Sequence, residues 1–452
     1  MSFCPETNLK RVARVTETGL FKGTDSVCRV VSVISGNPGG VASWETHCAV
    51  LVISPSSNGD NLILELTPDF QPRLYGSPGC ETWSVCFSPD GTRFAWSSGY
   101  GLVKVLPWPL PSNLHAPNSY TEEKMLDCGD IVWGMAFGPR ISNREKLKKM
   151  PVKGQELLLA TGLTNGTIKV WVVSTGELLF SLTGHRSVVR DLVFTPNGSL
   201  TLVSASRDKT LRVWDLAEKG QPSRVLTGPN FWLFKCSVSP DSSLIASVCN
   251  LDTKVYLWSL RSFTFVRNLK YKHQRSMVSC DFSADGALLA VGSYQALTGW
   301  WLDLWDPYTA DHLIKVEDCD RCEPRNENLL MALTFSPTFP HLAFKDYMAL
   351  RIWDMEQDKL VLVSDRNRVS GLCCAFHPQG SVIATGCREG HVKFWRVPCL
   401  VSSLRHLCRT TLRFSVSTYQ VQALPIPKKI LDFLTYRDIP KKRILHCSEH
   451  NR

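Results

Sequence analysis

The chain has 452 residues, 44% hydrophobic and 20% charged, an ordinary globular composition long enough for one large domain or several smaller ones. No apolar run reaches the ~18 residues of a membrane-spanning helix, and the opening "MSFCPETNLKRVARVTETG" has no continuous apolar core, so neither a transmembrane helix nor a secretion signal is expected. The net charge of +10 is spread along the chain, which argues for a mildly basic surface over a nucleic-acid-binding stripe.

Seventeen cysteines are scattered without a framework, several in strand-like runs such as "GLCCAF". They read as buried free thiols in a reducing, intracellular compartment. The cytoplasm is the expected location, and the weak basic signal "KKR" in the tail leaves the nucleus open.

Residues 1–57 hold one short apolar run, "CAVLVIS", and no repeat. They are expected to form an N-terminal extension, poorly ordered for most of its length and outside the folded body.

From 58 to 398 the chain repeats itself. "TWSVCFSPDGTRFAWSSGYGLVKVLPW" (82–108), "VVRDLVFTPNGSLTLVSASRDKTLRVWDL" (188–216) and "GLCCAFHPQGSVIATGCREGHVKFW" (371–395) share one plan. Each reads as a strand, a Pro-x-Gly turn, a second strand, a polar turn and a third strand ending in Trp. The terminal tryptophans are Trp108, Trp171, Trp214, Trp258, Trp305, Trp353 and Trp395, the last six 42 to 48 residues apart. Loops inserted at 109–126 and 138–155 lengthen the first interval. The second carries the densest basic stretch, Arg140–Lys153, which reads as a solvated loop. "QALTGWWLDLW" (295–305) is about four residues too long for the repeat, so a bulged or irregular third strand is expected there. "CDRC" (319–322) is a single cysteine pair, too few ligands for a four-coordinate zinc site.

A period near 40–45 residues with a Trp-Asp ending resembles the WD-repeat family. The resemblance implies a β-propeller of four-stranded blades, and seven repeats imply seven blades. "NLILEL" (61–66) is the expected closing strand, which would remove two exposed edges. The family's hydrogen-bonded tetrad carries over to His185, Ser204, Asp208 and Trp214. Its role is structural, because a buried Asp in a tight turn needs donors. Degenerate versions are Thr161 and Asn165 before Trp171, and Thr385 and Glu389 before Trp395. The family's channel-mouth positions carry over to Trp83, Trp133, Arg190, Phe234, Val278, Met331 and Leu372, with Arg207 and Arg388 at the rim. Trp, Phe and Arg are common interface anchors, so a target segment with apolar and acidic side chains is expected to bind here.

After Trp395 strand periodicity gives way to helical periodicity. "SLRHLCRTTL" (403–412) reads as a short helix with Leu404, Cys408 and Leu412 on one face. A closed all-β ring offers no obvious slot for it, and so short a helix needs an apolar surface to lie against. The stretch resembles the Elongin-binding box that opens a SOCS box, and "LPIP" (Leu424–Pro427) resembles the cullin box that follows, in the form that favours cullin-5. The resemblance implies that Leu404, Leu407, Cys408 and Leu412 bind Elongin C, which brings Elongin B. It implies that Leu424, Pro425, Ile426 and Pro427 meet cullin-5, whose RING subunit completes a ligase. Prolines suit that turn because their φ is fixed in advance.

The expected organisation is therefore an all-β seven-bladed WD-repeat β-propeller (58–398), a small all-α C-terminal SOCS box (399–437) and a tail (438–452). A WD propeller followed by a SOCS box is similar to the WD-repeat and SOCS-box-containing family. That implies a substrate-recognition subunit of an Elongin B/C–cullin-5–RING E3 ubiquitin ligase, with the propeller holding a protein substrate and the chain itself doing no chemistry. A WD-repeat scaffold without ligase partners is the alternative. No Gly-rich phosphate loop, HExxH or Gly-x-Ser-x-Gly is present, so no enzyme activity, cofactor or metal is expected.

Overall fold

The computed structural model describes residues 50–51, 61–67, 79–110, 123–141, 156–218, 221–295, 299–318, 330–346, 349–364, 371–398, 403–416, 418–439 and 442–445. The "CDRC" pair and most of the first 60 residues lie outside this set. The ten described cysteines are free thiols, and all but Cys408 are buried or partly buried.

The alternation of apolar and polar residues produces six mostly antiparallel sheets. Four have four strands each, beginning with Val85–Phe87, Val132–Ile141, Val189–Phe194 and Leu330–Phe335. A fifth contains Gly371–Phe376, Val382–Cys387 and Val392–Arg396, then Leu62–Leu66 from the other end of the chain, with Leu66 opposite Val392. Val50–Leu51, inside the stretch expected to lie outside the propeller, pairs with Glu65 and Leu66 on the outer edge of this sheet. The sixth sheet has eight strands. Its strand Thr264–Phe282 pairs first with Asp252–Ser259 and then with Leu289–Gln295, so one continuous strand serves two neighbouring four-stranded units.

The innermost strands touch in a closed circuit. Gly371–Phe376 contacts Val85–Phe87, and contacts continue through Val132–Ile141, Val189–Phe194, Leu233–Val238, the latter part of Thr264–Phe282 and Leu330–Phe335, back to Gly371–Phe376. Apolar clusters fill the spaces between sheets. One joins Val203, Leu211 and Val213 to Cys236, Tyr256 and Trp258.

The terminal tryptophans occupy one register position. Trp171, Trp214, Trp258, Trp305, Trp353 and Trp395 lie opposite Leu159, Leu202, Ile245, Leu289, Leu342 and Ile383. The first repeat departs from this. Leu106 faces Phe94 at the equivalent place, and Trp108 follows two residues later, stacked 4.8 Å from Phe394. Because side chains alternate with period two, Trp108 still points to the same face. The inserted segments are also shorter than expected, since Lys124–Asp127 and Val132–Ile141 are strands.

The segment expected to be irregular is regular. Gly299–Trp305 pairs with Leu289–Gln295 without a register shift. The additional residues lengthen both strands of the hairpin instead of bulging one. Trp300, Leu302 and Leu304 then bury against Leu333 and Phe344, which rewards the longer hairpin.

Three helices follow: α1 (Leu404–Ser415), α2 (Thr418–Ala423) and α3 (Lys428–Leu434). Ser403 caps α1 by accepting from the His406 amide at 3.0 Å. The tail does not simply trail away. Lys442–Leu445 adds as a parallel strand beside His312–Asp318.

Candidate functional site

In every unit the first strand starts where the second ends and the third begins. The lead-ins to first strands and the second-to-third turns therefore share one end of the sheets. The first-to-second and third-to-fourth turns share the other. Strands of about six residues separate these ends by roughly 20 Å.

The expected channel-mouth residues share a backbone cause. A register shift occurs between Val132 and Gly134, Val189 and Asp191, Leu233 and Lys235, Met277 and Ser279, Leu330 and Ala332, and Gly371 and Cys373. The skipped residues are Trp133, Arg190, Phe234, Val278, Met331 and Leu372. Each is the extra residue of a β-bulge, a device that re-aims a side chain out of the ladder.

Several of these side chains converge. Trp83 and Trp133 pack with ring centroids 4.4 Å apart, their planes tilted by 33°. The Arg190 guanidinium lies 4.6 Å from the Trp133 centroid, 5.3 Å from Trp83 and 5.2 Å from Phe234. Arg207, from a second-to-third turn, lies 5.0 Å from Trp133 and 5.3 Å from Trp232. The Trp133 indole is fixed by donating to Thr164 Oγ1 at 2.8 Å. Val278 and Met331 are half-buried and Leu372 is buried. Arg388, the other residue expected at the rim, is an exposed residue of the second-to-third turn 387–391, at this same end of the sheets. Trp232 belongs to the group through Arg207 and escaped the sequence pattern because the channel-mouth position of its repeat falls two residues later, on Phe234. The exposed aromatic pair "FW" (231–232) was the available signal.

The tetrad residues form a directed chain of hydrogen bonds. Trp214 Nε1 donates to Ser204 Oγ at 2.9 Å, Ser204 lies 2.7 Å from His185 Nε2, and His185 Nδ1 lies 2.7 Å from Asp208 Oδ2. The Asp208 carboxylate can only accept, so His185 holds its proton on Nδ1, and the neutral imidazole then accepts at Nε2 from the Ser204 hydroxyl. Burial pushes the His185 pKa down against the pull of Asp208. Burial alone would raise Asp208, but hydrogen bonds from His185, Thr210 and the Arg186 amide outweigh it and hold the carboxyl well below its usual range. The degenerate units keep part of the chain: Trp171 donates to Thr161, Trp258 to Ser247 and Trp395 to Thr385. These groups lie inside the sheets and tie strands together.

At the opposite end sits the helical module. Tyr436 donates to Asp285, in a first-to-second turn, at 3.0 Å. Arg437 reaches Asp306 at 3.1 Å and Asp311 at 2.6 Å in a third-to-fourth turn. Ser403 donates to Glu356 in the next unit's third-to-fourth turn. Tyr436 packs into the same apolar cluster as Trp300, Phe344 and Trp353.

Helix α1 is amphipathic in the reverse of the usual sense. His406, Arg409 and Arg413 face inward and are buried. Leu404, Leu407, Cys408 and Leu412 face outward, with the three leucines 76%, 49% and 47% exposed. Arg409 is partnered, as burial of a cation demands. Arg409 lies 4.2 Å from the Phe433 centroid and 4.0 Å from Tyr436, donates Nε to the Phe433 carbonyl at 2.9 Å, and pairs with Asp438 at 3.5 Å. Arg405 pairs with the other oxygen of Asp438. Leu404, Arg405, Cys408, Lys429, Ile430 and Phe433 line one surface groove between α1 and α3. The four residues expected to contact Elongin C are thus together on one open face. Leu424–Pro427 forms the turn between α2 and α3, with Pro425 and Pro427 exposed and the Pro427 carbonyl accepting from Ile430 and Leu431 at the start of α3.

Comparison with known proteins matches both ends of this molecule. The WD domain, G-beta repeat family matches residues 176–215, 220–259 and 362–396, and the SOCS box family matches 400–435. The WD repeat and SOCS box-containing protein 1 of Homo sapiens is 41% identical over 395 residues, which cover 79% of this chain and 92% of that protein. Its Danio rerio counterpart is 39% identical over 412 residues, covering 83% and 95%. With a WD40 β-propeller at one end and a small helical SOCS box at the other, the chain belongs to the WD repeat and SOCS box-containing protein family.

Proposed function

We propose that this chain is the substrate-recognition subunit of an Elongin B/C–cullin-5–RING ubiquitin ligase. A seven-bladed propeller over 58–398 holds the protein target, and the SOCS box over 399–437 recruits the ligase. The seven-bladed reading is supported by the shared strand Thr264–Phe282, which divides the eight-stranded sheet into two units. The observation that carries the functional reading is the outward apolar face of α1. A helix this short does not keep Leu404, Leu407 and Leu412 in water without a use for them. Leu404, Leu407, Cys408 and Leu412 fill the site on Elongin C, and Leu424–Pro427 presents a preformed turn to cullin-5. Catalysis belongs to the RING subunit and its partner enzymes. The chain contributes proximity, by fixing a target near the transferred ubiquitin.

The test is capture of purified cullin-5 in the presence of Elongin B and C. Pro425→Ala/Pro427→Ala is expected to weaken cullin-5 capture while Elongin capture persists. Cullin-5 capture equal to wild type would remove Leu424–Pro427 from this role, and absent Elongin capture by the wild type would favour a scaffold without ligase partners.

A further inference from the structure

Two guanidinium groups share the aromatic cage at the propeller mouth, and neither forms a hydrogen bond or ion pair among the described residues. The Nε atoms of Arg190 and Arg207 are both buried without a partner. Nearby carboxylates are already engaged. Asp191 takes Lys235 Nζ at 2.9 Å and the Cys236 amide at 3.0 Å, and Asp208 takes His185, Thr210 and the Arg186 amide. Two like charges within about 5 Å of one indole ring repel, and the surrounding rings replace only part of their lost hydration. Burial and the charge of Arg207 together push the Arg190 pKa down to about 10. A single anion placed between the groups would satisfy both.

The surroundings select the source of that anion. Tyr100, Trp232 and Leu251 are exposed large apolar residues at this same end of the sheets. Glu81, Asp130 and Glu389 are interspersed at this end with Arg186, Lys209 and Arg388, so the face offers no continuous positive stripe for a polyanion such as a nucleic acid. One negative charge flanked by apolar side chains fits this pattern.

Building on the reading of the propeller as the target-holding domain, we infer that Arg190 and Arg207, caged by Trp83, Trp133, Trp232 and Phe234, bind one anionic side chain, carboxylate or phosphate, of an extended segment of the partner protein. The guanidinium forks supply paired donors for the anion's oxygens. The flanking apolar residues lie on the exposed aromatic rim.

The full chain would be immobilised and exposed to fluorescein-labelled peptide pools with uncharged degenerate flanks and a fixed central Glu, phosphoserine, Gln or Lys. The Glu or phosphoserine pool should be retained about tenfold or more over the Gln pool, in line with charge-assisted hydrogen bonds. Whichever of the two is retained better assigns carboxylate or phosphate. Arg190→Met/Arg207→Met should reduce the difference to less than about twofold. Arg207→Met alone, at the more open position, should narrow it if the double variant fails to fold. Equal retention of all pools, no retention of any pool, or discrimination intact in the variants would overturn the inference. Elongin B/C capture by the same preparation reports separately on the ligase reading, so selective peptide retention without Elongin capture would sink that reading and leave this one standing.

Discussion

Tyr436 donates its phenolic hydrogen to Asp285 across 3.0 Å, joining the residue just beyond α3 to a turn of the propeller. Both side chains are buried, and burial together with the Asp285 charge raises the Tyr436 pKa, which keeps the donor protonated. Tyr436→Phe keeps the packing and removes the donor. Asp285 retains Ser283 and the Ala287 amide on its other oxygen, so the expected loss is about 1–2 kcal/mol. Amide hydrogen exchange should quicken in α1 and α3 while the strand Val189–Phe194 stays protected. Equal exchange in variant and wild type would contradict a coupling through this bond.

The reversed helix predicts a reversed mutational pattern. Leu404→Ala removes an exposed side chain and should change the stability of the free chain by less than about 0.5 kcal/mol. Arg409→Ala strips a buried cation from Asp438, the Phe433 carbonyl and two rings, and should cost about 3 kcal/mol or more. Limited proteolysis between 403 and 439 reads both. Greater sensitivity in Leu404→Ala than in Arg409→Ala would reverse the assignment of faces.

The tetrad predicts acid sensitivity. The folded pKa of His185 lies below its ordinary 6.5, so its contribution is complete above that value and is lost as pH falls toward the folded pKa. Protonating Nε2 also removes the acceptor for Ser204. Asp208, depressed below 3.8, adds stability above that pH and surrenders it at still lower pH. His406, likewise lowered by burial, contributes in the same direction. The melting temperature should therefore fall from pH 7 to pH 5, and His185→Gln should flatten the slope. An unchanged slope in the variant would rule out the buried imidazole as its source.

The tail strand makes a further prediction. Lys442–Leu445 covers the outer edge of His312–Asp318, which would otherwise present unpaired backbone groups. Ending the chain after Ile439 keeps Tyr436, Arg437 and Asp438 and removes this strand with the rest of 440–452. The truncated chain should still capture Elongin B and C but melt lower and associate with itself on size-exclusion chromatography. A monomer of wild-type stability would show that the strand contributes nothing.

Much of the fold is legible because local periodicity encodes it. Six tryptophans at one register position and the turns between them mark the strand plan before any coordinate is known. The placing of Trp83, Trp133, Arg190 and Phe234 on one surface also follows from repeat position. What escapes is non-local or depends on a compensating partner. The parallel pairing of 442–445 with 315–318 leaves no trace in either segment's own pattern. The burial of His406, Arg409 and Arg413 contradicts side-chain polarity until Phe433, Tyr436 and Asp438 are brought beside Arg409. Gly299–Trp305 reads as an irregularity because length alone does not say whether surplus residues bulge a strand or extend its hairpin.

The most direct test of the ligase reading is a titration of purified Elongin B/C against the full chain, wild type and Leu404→Ala/Cys408→Ala, with thermal melts in parallel. The variant is expected to lose affinity by roughly a hundredfold at an unchanged melting temperature, as for central anchors of an interface. Wild-type affinity in the variant would contradict the claim that the exposed face of α1 is the Elongin-binding surface.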